Sequence, residues 1–311
     1  MPRKSQLPFP GSFGEFSGMT NSSFRQSALL FALTGALFLA LTGGHAVGQA
    51  ASSASSPQPR QAVVPVKKDI GYSDTPMIPG TQWHVHDGQR PQPRIVTPAA
   101  TFSHLAPPPS DAVVLFNGTD LSQWMLPSGE AKWKVENGYM EVVPNSGSIR
   151  TKGKFADFQL HLEFATPAKV DGNSQGRGNS GILFNSIYEV QVLDSWENPT
   201  YPDGQCGALY GQSPPLVNAC KRPGEWQAYD IIFESPRWDE EKKLVKKANI
   251  TVIQNGVVIH HKREYLGSTP HRQNGTYEPH PPEVYIELQD HHNPMRFRNI
   301  WLRSIGQYDK P

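Results

Sequence analysis

Val284–Arg303 reads "VYIELQDHHNPMRFRNIWLR". Its first part alternates, with Val284, Ile286 and Leu288 to one side and Tyr285, Glu287 and Gln289 to the other. Its last part alternates again. A period of two marks β-strands with one buried face. Between the two strands sit Asp290, His291, His292 and Asn293. That knot admits three readings: a surface turn, a metal site, or acid–base equipment. Continuing the alternation places His291 with Gln289 and Glu287, and leaves Asp290 and Asn293 as turn-formers.

The same texture extends back to Asp111. "AVVLFNG", "FQLHLEF", "EWQAYDIIFE" and the two halves of "GILFNSIYEVQVLD" each read as strands. "WKVENGYMEVV" and "ANITVIQNGVVIHH" read as hairpins, turning at Asn137-Gly138 and Asn255-Gly256, the pairs that type I′ turns favour. About ten strands follow one another with no amphipathic helical run. The expected fold is all-β, an antiparallel jelly-roll β-sandwich over residues 111–306.

Upstream the composition changes. Arg25 precedes the apolar run Ala28–Leu41 and the small residues Gly48 and Ala50. Residues 1–50 read as a signal peptide cleaved after about Ala50, with an uncleaved anchor as the alternative. Secretion or delivery to a periplasm follows, with no stable membrane insertion after cleavage. Residues 51–110 are rich in Pro, Ser, Ala and Gln, and read as a linker or loosely docked arm. His84 and His86 alternate inside it, but a surface arm is favoured over a metal pair. The 29 Lys and Arg balance 28 Asp and Glu, which argues against a nucleic-acid partner. Cys206 and Cys220 share one Gly/Pro-rich loop, and a disulfide staple and two free thiols both remain open.

Alternation also sorts polar side chains. His161 faces away from Leu160 and Leu162, and Glu189 and Gln191 face away from Val190 and Val192. With Gln289 and His291 they suggest a stripe of planar hydrogen-bonding groups suited to sugar hydroxyls. The loop "SWENPTYPDGQCGALYGQSPPL" after Asp194 is long and carries Trp196, Tyr201 and Tyr210, as a groove wall would. "DGNSQGRGNSG" at Asp171–Gly181 lacks the Lys-Ser/Thr and helix of a phosphate loop. It is expected to offer Arg177 and Asn179 at the groove edge.

"VVLFNGTDLSQW", "GNSGILF…YEVQVLDS", "PGEWQAYDIIF", "ITVIQNGVVI" and "IELQDHHNPMRFRNIWLR" occur in the order and spacing of the 3-keto-disaccharide hydrolase domain family, which this chain resembles over residues 110–304. The resemblance implies a concanavalin A-like jelly roll, bacterial export and a carbohydrate substrate. It also implies cleavage of glycosides already oxidised at C3, a substrate that an upstream sugar 3-dehydrogenase would supply. A C3 ketone acidifies the C2 proton, so a base, β-elimination of the aglycone and water addition achieve net hydrolysis. On this reading His291 and Glu189 are the catalytic candidates. Gln191, Gln289, Arg177, Asn179, Tyr210 and Arg298 are the candidates for substrate binding. A divalent cation on Glu189, His161 and His291 is a further expectation. The alternative is a non-catalytic carbohydrate-binding module. The chain departs from the family at His292, where Gly is usual, which puts a positive φ in question.

Overall fold

Alternating residues bury one face per strand, and two such faces close on each other here. The structure, a computed structural model, describes residues 70–306. The signal-like segment 1–50 and the first part of the Pro/Ser-rich stretch lie outside the described residues. Among the described residues there is no α-helix, and no helix long and apolar enough to cross a membrane.

One sheet has six strands, in the order Tyr188–Leu193, Asn179–Phe184, Ile286–Leu288, Ile149–Thr151, Trp124–Leu126 and Gly129–Glu130. The other has eight. It runs Val257–Glu264, Asn249–Gln254, Gln227–Glu234, Phe158–Ala165, Arg296–Ser304, Tyr139–Glu141 and Lys134–Glu136, with Val113–Phe116 paired to Arg296–Ser304. The strands within each sheet pair antiparallel. The sheets meet through aromatic residues. Phe184 of the first sheet lies 5.5 Å from Phe158 and 4.4 Å from Phe233 of the second, ring centre to ring centre. The all-β sandwich expected from alternation is the observed fold.

Both expected hairpin turns form. Asn137 and Gly138 take φ of 49° and 78°, and Asn255 and Gly256 take 52° and 79°. A third such turn, at Asn185 and Ser186 (φ 58° at both), joins Phe184 to Tyr188 and places two polar-stripe strands side by side.

The Pro-rich stretch is not a free linker from residue 70 onward. Ile78, Val85 and His86 are buried, and the His86 amide donates to Asp203 Oδ2 at 2.9 Å. Arg94–Ile95 pairs in parallel with Val217–Asn218. Further on, Ser103 donates to Asp230, and the Leu105 amide donates to Glu163 Oε1 at 2.5 Å. Composition suggested looseness, but a few well-placed apolar and polar side chains suffice to dock the arm.

Candidate functional site

Three neighbouring strands of the six-stranded sheet build the floor. Register pairs Glu189 with Leu183 and Leu183 with Glu287, while Gln191 lies opposite Gly181. The Gln289 amide donates to the Gly181 carbonyl at 3.0 Å, which continues the rungs beyond the strand end. On the outer face this aligns Glu189–Leu183–Glu287 and then Gln191–Gly181–Gln289. Glycine in the middle of the second row leaves a hollow. A Cβ at Gly181 would stand 2.5 Å from Glu189 Oε1, so only glycine leaves that carboxyl its place.

Over this hollow opens a cavity of about 880 Å³. Glu189, Gln191, Gln289, His291, Asn179 and Tyr210 all line it, so six of the expected site residues come together. Its size suits a small glycoside. Gln191 Nε2 donates to Gln175 Oε1 at 2.9 Å, which fixes the amide. Asn179 Nδ2 donates to the Gln175 carbonyl at 2.7 Å, and its Oδ1 is buried with no partner among the described residues. That oxygen is a buried acceptor left unused within the fold, which is uncommon.

The electrostatics are uneven. Glu189 is only 6% exposed, and its carboxyl has no hydrogen-bond partner or cation among the described residues. Burial, with the nearby Glu287 charge, pushes its pKa up to about 8. His291 stands at the rim. Partial desolvation, with His292 beside it, lowers its pKa despite the opposing pull of Asp290. At neutral pH the cavity therefore holds a protonated carboxyl and an unprotonated imidazole.

The turn carrying His291 is held as its sequence suggested. Asp290 Oδ1 accepts the His292 amide at 2.9 Å, and Asp290 Oδ2 accepts the Gly147 amide at 3.0 Å. Asn293 Oδ1 accepts the Asn179 amide at 2.6 Å. His292 takes φ +63°, the left-handed conformation glycine favours.

Three expected residues lie elsewhere. His161 sits on the outer face of the eight-stranded sheet, fully buried, with Nδ1 2.7 Å from Asp230 Oδ1 and its ring stacked 5.1 Å from Trp301. Arg298 shares that face, donating to Glu163 Oε2 at 2.7 Å and lying over Trp226 at 4.1 Å. Arg177 is beside the cavity but not in its wall. It donates to Asp194 Oδ2 at 2.6 Å and to the Trp196 carbonyl at 2.8 Å, and lines a smaller neighbouring pocket. The set Glu189, His161 and His291 is therefore not assembled for a metal. No other group of three His, Cys, Asp or Glu side chains suited to a metal occurs among the described residues.

The rest of the cavity comes from segments without strand periodicity. Tyr72 enters from the arm, Gln175 from the Gly-rich loop, Tyr201 from the long loop and His271 from the loop after Tyr265. Ring-bearing residues between Gly and Pro were the available signal. Only long-range contacts, such as the Arg272–Asp74 ion pair at 2.9 Å, bring them to one place. Behind the floor, Cys206 and Cys220 are buried free thiols that share one donor, Gln254 Nε2, at 3.5 and 3.4 Å.

Residues 111–303 match the model of the 3-keto-alpha-glucoside-1,2-lyase-like domain. A crystal structure from Parabacteroides distasonis, whose name assigns it provisionally to the glycosyl hydrolases, is 44% identical. The match covers 70% of this chain and 93% of that one, with a TM-score of 0.63. A second structure from the same organism, named likewise, is 19% identical over 63% of this chain and 94% of its own, with a TM-score of 0.48. No curated protein matches the chain.

Proposed function

Because this chain belongs to the 3-keto-alpha-glucoside-1,2-lyase-like domain family, we propose that it is an exported enzyme that cleaves 3-keto-glycosides by elimination followed by water addition. The observation that carries this reading is the pairing, in one cavity, of a carboxyl that keeps its proton with an imidazole that lacks one. Groups driven to opposite protonation states near neutral pH are the mark of an acid and a base.

The roles follow from those states. Neutral His291 takes the C2 proton, and the electron pair of the C2–H bond moves onto the C3 oxygen as an enolate. The enolate then expels the glycosidic oxygen from C1, forming a C1–C2 double bond. Protonated Glu189 gives its proton to that leaving oxygen. Water adds across the enone, its hydroxyl going to C1 and a proton to C2, and a proton passes from His291 back to Glu189. Gln191, Gln289 and Asn179 hold ring hydroxyls. A prior oxidation at C3, by a sugar 3-dehydrogenase, supplies the substrate. No step is routed through a metal.

The test offers the purified protein a 3-keto-glucoside and its unoxidised parent, each with and without chelator and added divalent cation. Aglycone release from the ketone alone, slowed by deuterium at C2, is expected. Release from the parent alone would indicate an ordinary glycosidase, and binding without release would indicate a carbohydrate-binding module. Loss with chelator and recovery with added cation would restore the expectation of a metal.

A further inference from the structure

A relay of three side chains ends in the cavity. Tyr201 Oη lies 3.1 Å from Tyr210 Oη, and Tyr210 Oη lies 3.1 Å from His271 Nδ1. None of the three belongs to either sheet. The buried His86 ring packs against all of them, 4.2 Å from Tyr201, 4.7 Å from Tyr210 and 5.3 Å from His271. The Asp203 carboxylate anchors that residue, accepting the His86 backbone amide at Oδ2 and lying 3.4 Å from the ring Nδ1 at Oδ1. The edge of Tyr72 closes on His271 at 5.8 Å.

Counting protons orients the relay. If His271 carried its proton on Nδ1, it would donate to Tyr210, which would donate to Tyr201. The Tyr201 hydroxyl proton would then have no acceptor among the described residues, in a side chain only 4% exposed. A buried donor left unpaired costs about 1–3 kcal/mol. The opposite direction pairs both hydroxyl protons: Tyr201 donates to Tyr210, and Tyr210 donates to His271 Nδ1. The ring proton then sits on Nε2, which has no hydrogen-bond partner among the described residues and belongs to a residue lining the cavity.

We propose that His271 is a fixed Nε2–H donor of this site, its tautomer set by the Tyr201–Tyr210 relay, and that it receives the C3 oxygen on which enolate charge gathers. The second half of that statement rests on the ketosugar reading above. His271 keeps its proton throughout, donating a hydrogen bond to the C3 carbonyl and a stronger one to the enolate. Desolvation, with His86, Arg272 and His291 nearby, keeps the ring from becoming a cation. Tyr201 and Tyr210 act through His271 as positioning residues.

Two measurements test this. Imidazole nitrogen shifts in ¹⁵N-histidine-labelled protein should report the Nε2–H tautomer for His271 at neutral pH, and Tyr210→Phe should erase that preference. An Nδ1–H tautomer in the unaltered protein would overturn the relay. With a 3-keto-glucoside, His271→Ala should lower kcat about 10²-fold with a smaller change in KM. His271→Gln, which restores an N–H donor, should recover part of that loss. A kcat within twofold of the unaltered protein in His271→Ala overturns the donor role. If the unaltered protein releases no aglycone from any ketosugar, the C3 assignment falls with the reaction, and the tautomer measurement still decides the relay.

Discussion

Glu163 and Glu189 are the same residue type, both buried, both within strands, one on the outer face of each sheet. Glu163 sits among donors: Arg298 at 2.7 Å, Asn299 at 2.9 Å, the Leu105 amide at 2.5 Å, and His161 3.8 Å away. Burial opposes its ionisation, but His161, Asn299, Leu105 and Arg298 together hold its pKa down at about 2. Burial is opposed in the same way at His161, where the Asp230 and Glu163 partners raise the pKa. Glu189 has none of this, and burial, with the Glu287 charge nearby, carries it up to about 8. One carboxylate helps to hold the arm, while the other stands without a partner among the described residues. A buried carboxyl with partners reads as architecture, and one without partners is a candidate for chemistry.

The largest effect is expected at Glu189. Glu189→Gln should lower kcat on a 3-keto-glucoside by about 10²–10⁴-fold, measured at saturating substrate. It should also change stability in a defined direction. With the folded pKa at about 8 and the ordinary value at 4.5, the folded chain keeps a proton that the unfolded chain loses between those limits. Stability therefore falls as pH rises through that window, by at most about 1.4 kcal/mol per pH unit. Glu189→Gln should flatten that slope in urea titrations at pH 5 and pH 9.

Glu163 should give the opposite picture. Glu163→Ala strands Arg298 and His161 and should cost about 3–5 kcal/mol of stability, read from the urea midpoint. In the unaltered protein the Glu163 contribution is complete above the ordinary carboxylate pKa and is lost as pH falls toward about 2. The two carboxylates thus destabilise the fold at opposite ends of the pH scale. A smaller intrusion should separate position from charge. Gly181→Ala sets a methyl against Glu189 Oε1 and should reduce kcat by up to about 10²-fold, while the urea midpoint moves far less than in Glu163→Ala. The smallest effect is expected at the turn. His292→Gly relieves a left-handed non-glycine residue and should add about 1 kcal/mol of stability, seen as a higher Tm.

Much of this arrangement was legible before any coordinates. Alternation separated inside from outside in Phe158–Ala165, Tyr188–Leu193 and the strand before Asp290, and it put Glu189, Gln191, Gln289 and His291 on one side, the four that line one cavity. It could not tell which outside. A sandwich has two outer faces, and a period of two looks the same from either sheet, so alternation sets His161 with a cavity on the opposite face. Arg298, a candidate only through the family resemblance, lies on the same face as His161. Tyr72 and His271 escaped because loop residues have no period to betray their direction. Arg177 was placed near the edge by its glycine-rich surroundings, but its tie to Asp194 was invisible in one dimension.

The arm touches both faces. Tyr72 and His86 reach the cavity wall, and Ser103, Leu105 and Ala106 meet the Asp230–Glu163–Asn299 cluster. Each docked end keeps the other at high effective concentration, as two linked modules do on one target. Loosening either end alone should then be forgiven, because the tethered end rebinds faster than it escapes. Loosening both should cost more than the sum, so the sandwich carries a two-point clasp whose strength lies in its length of chain rather than in either contact.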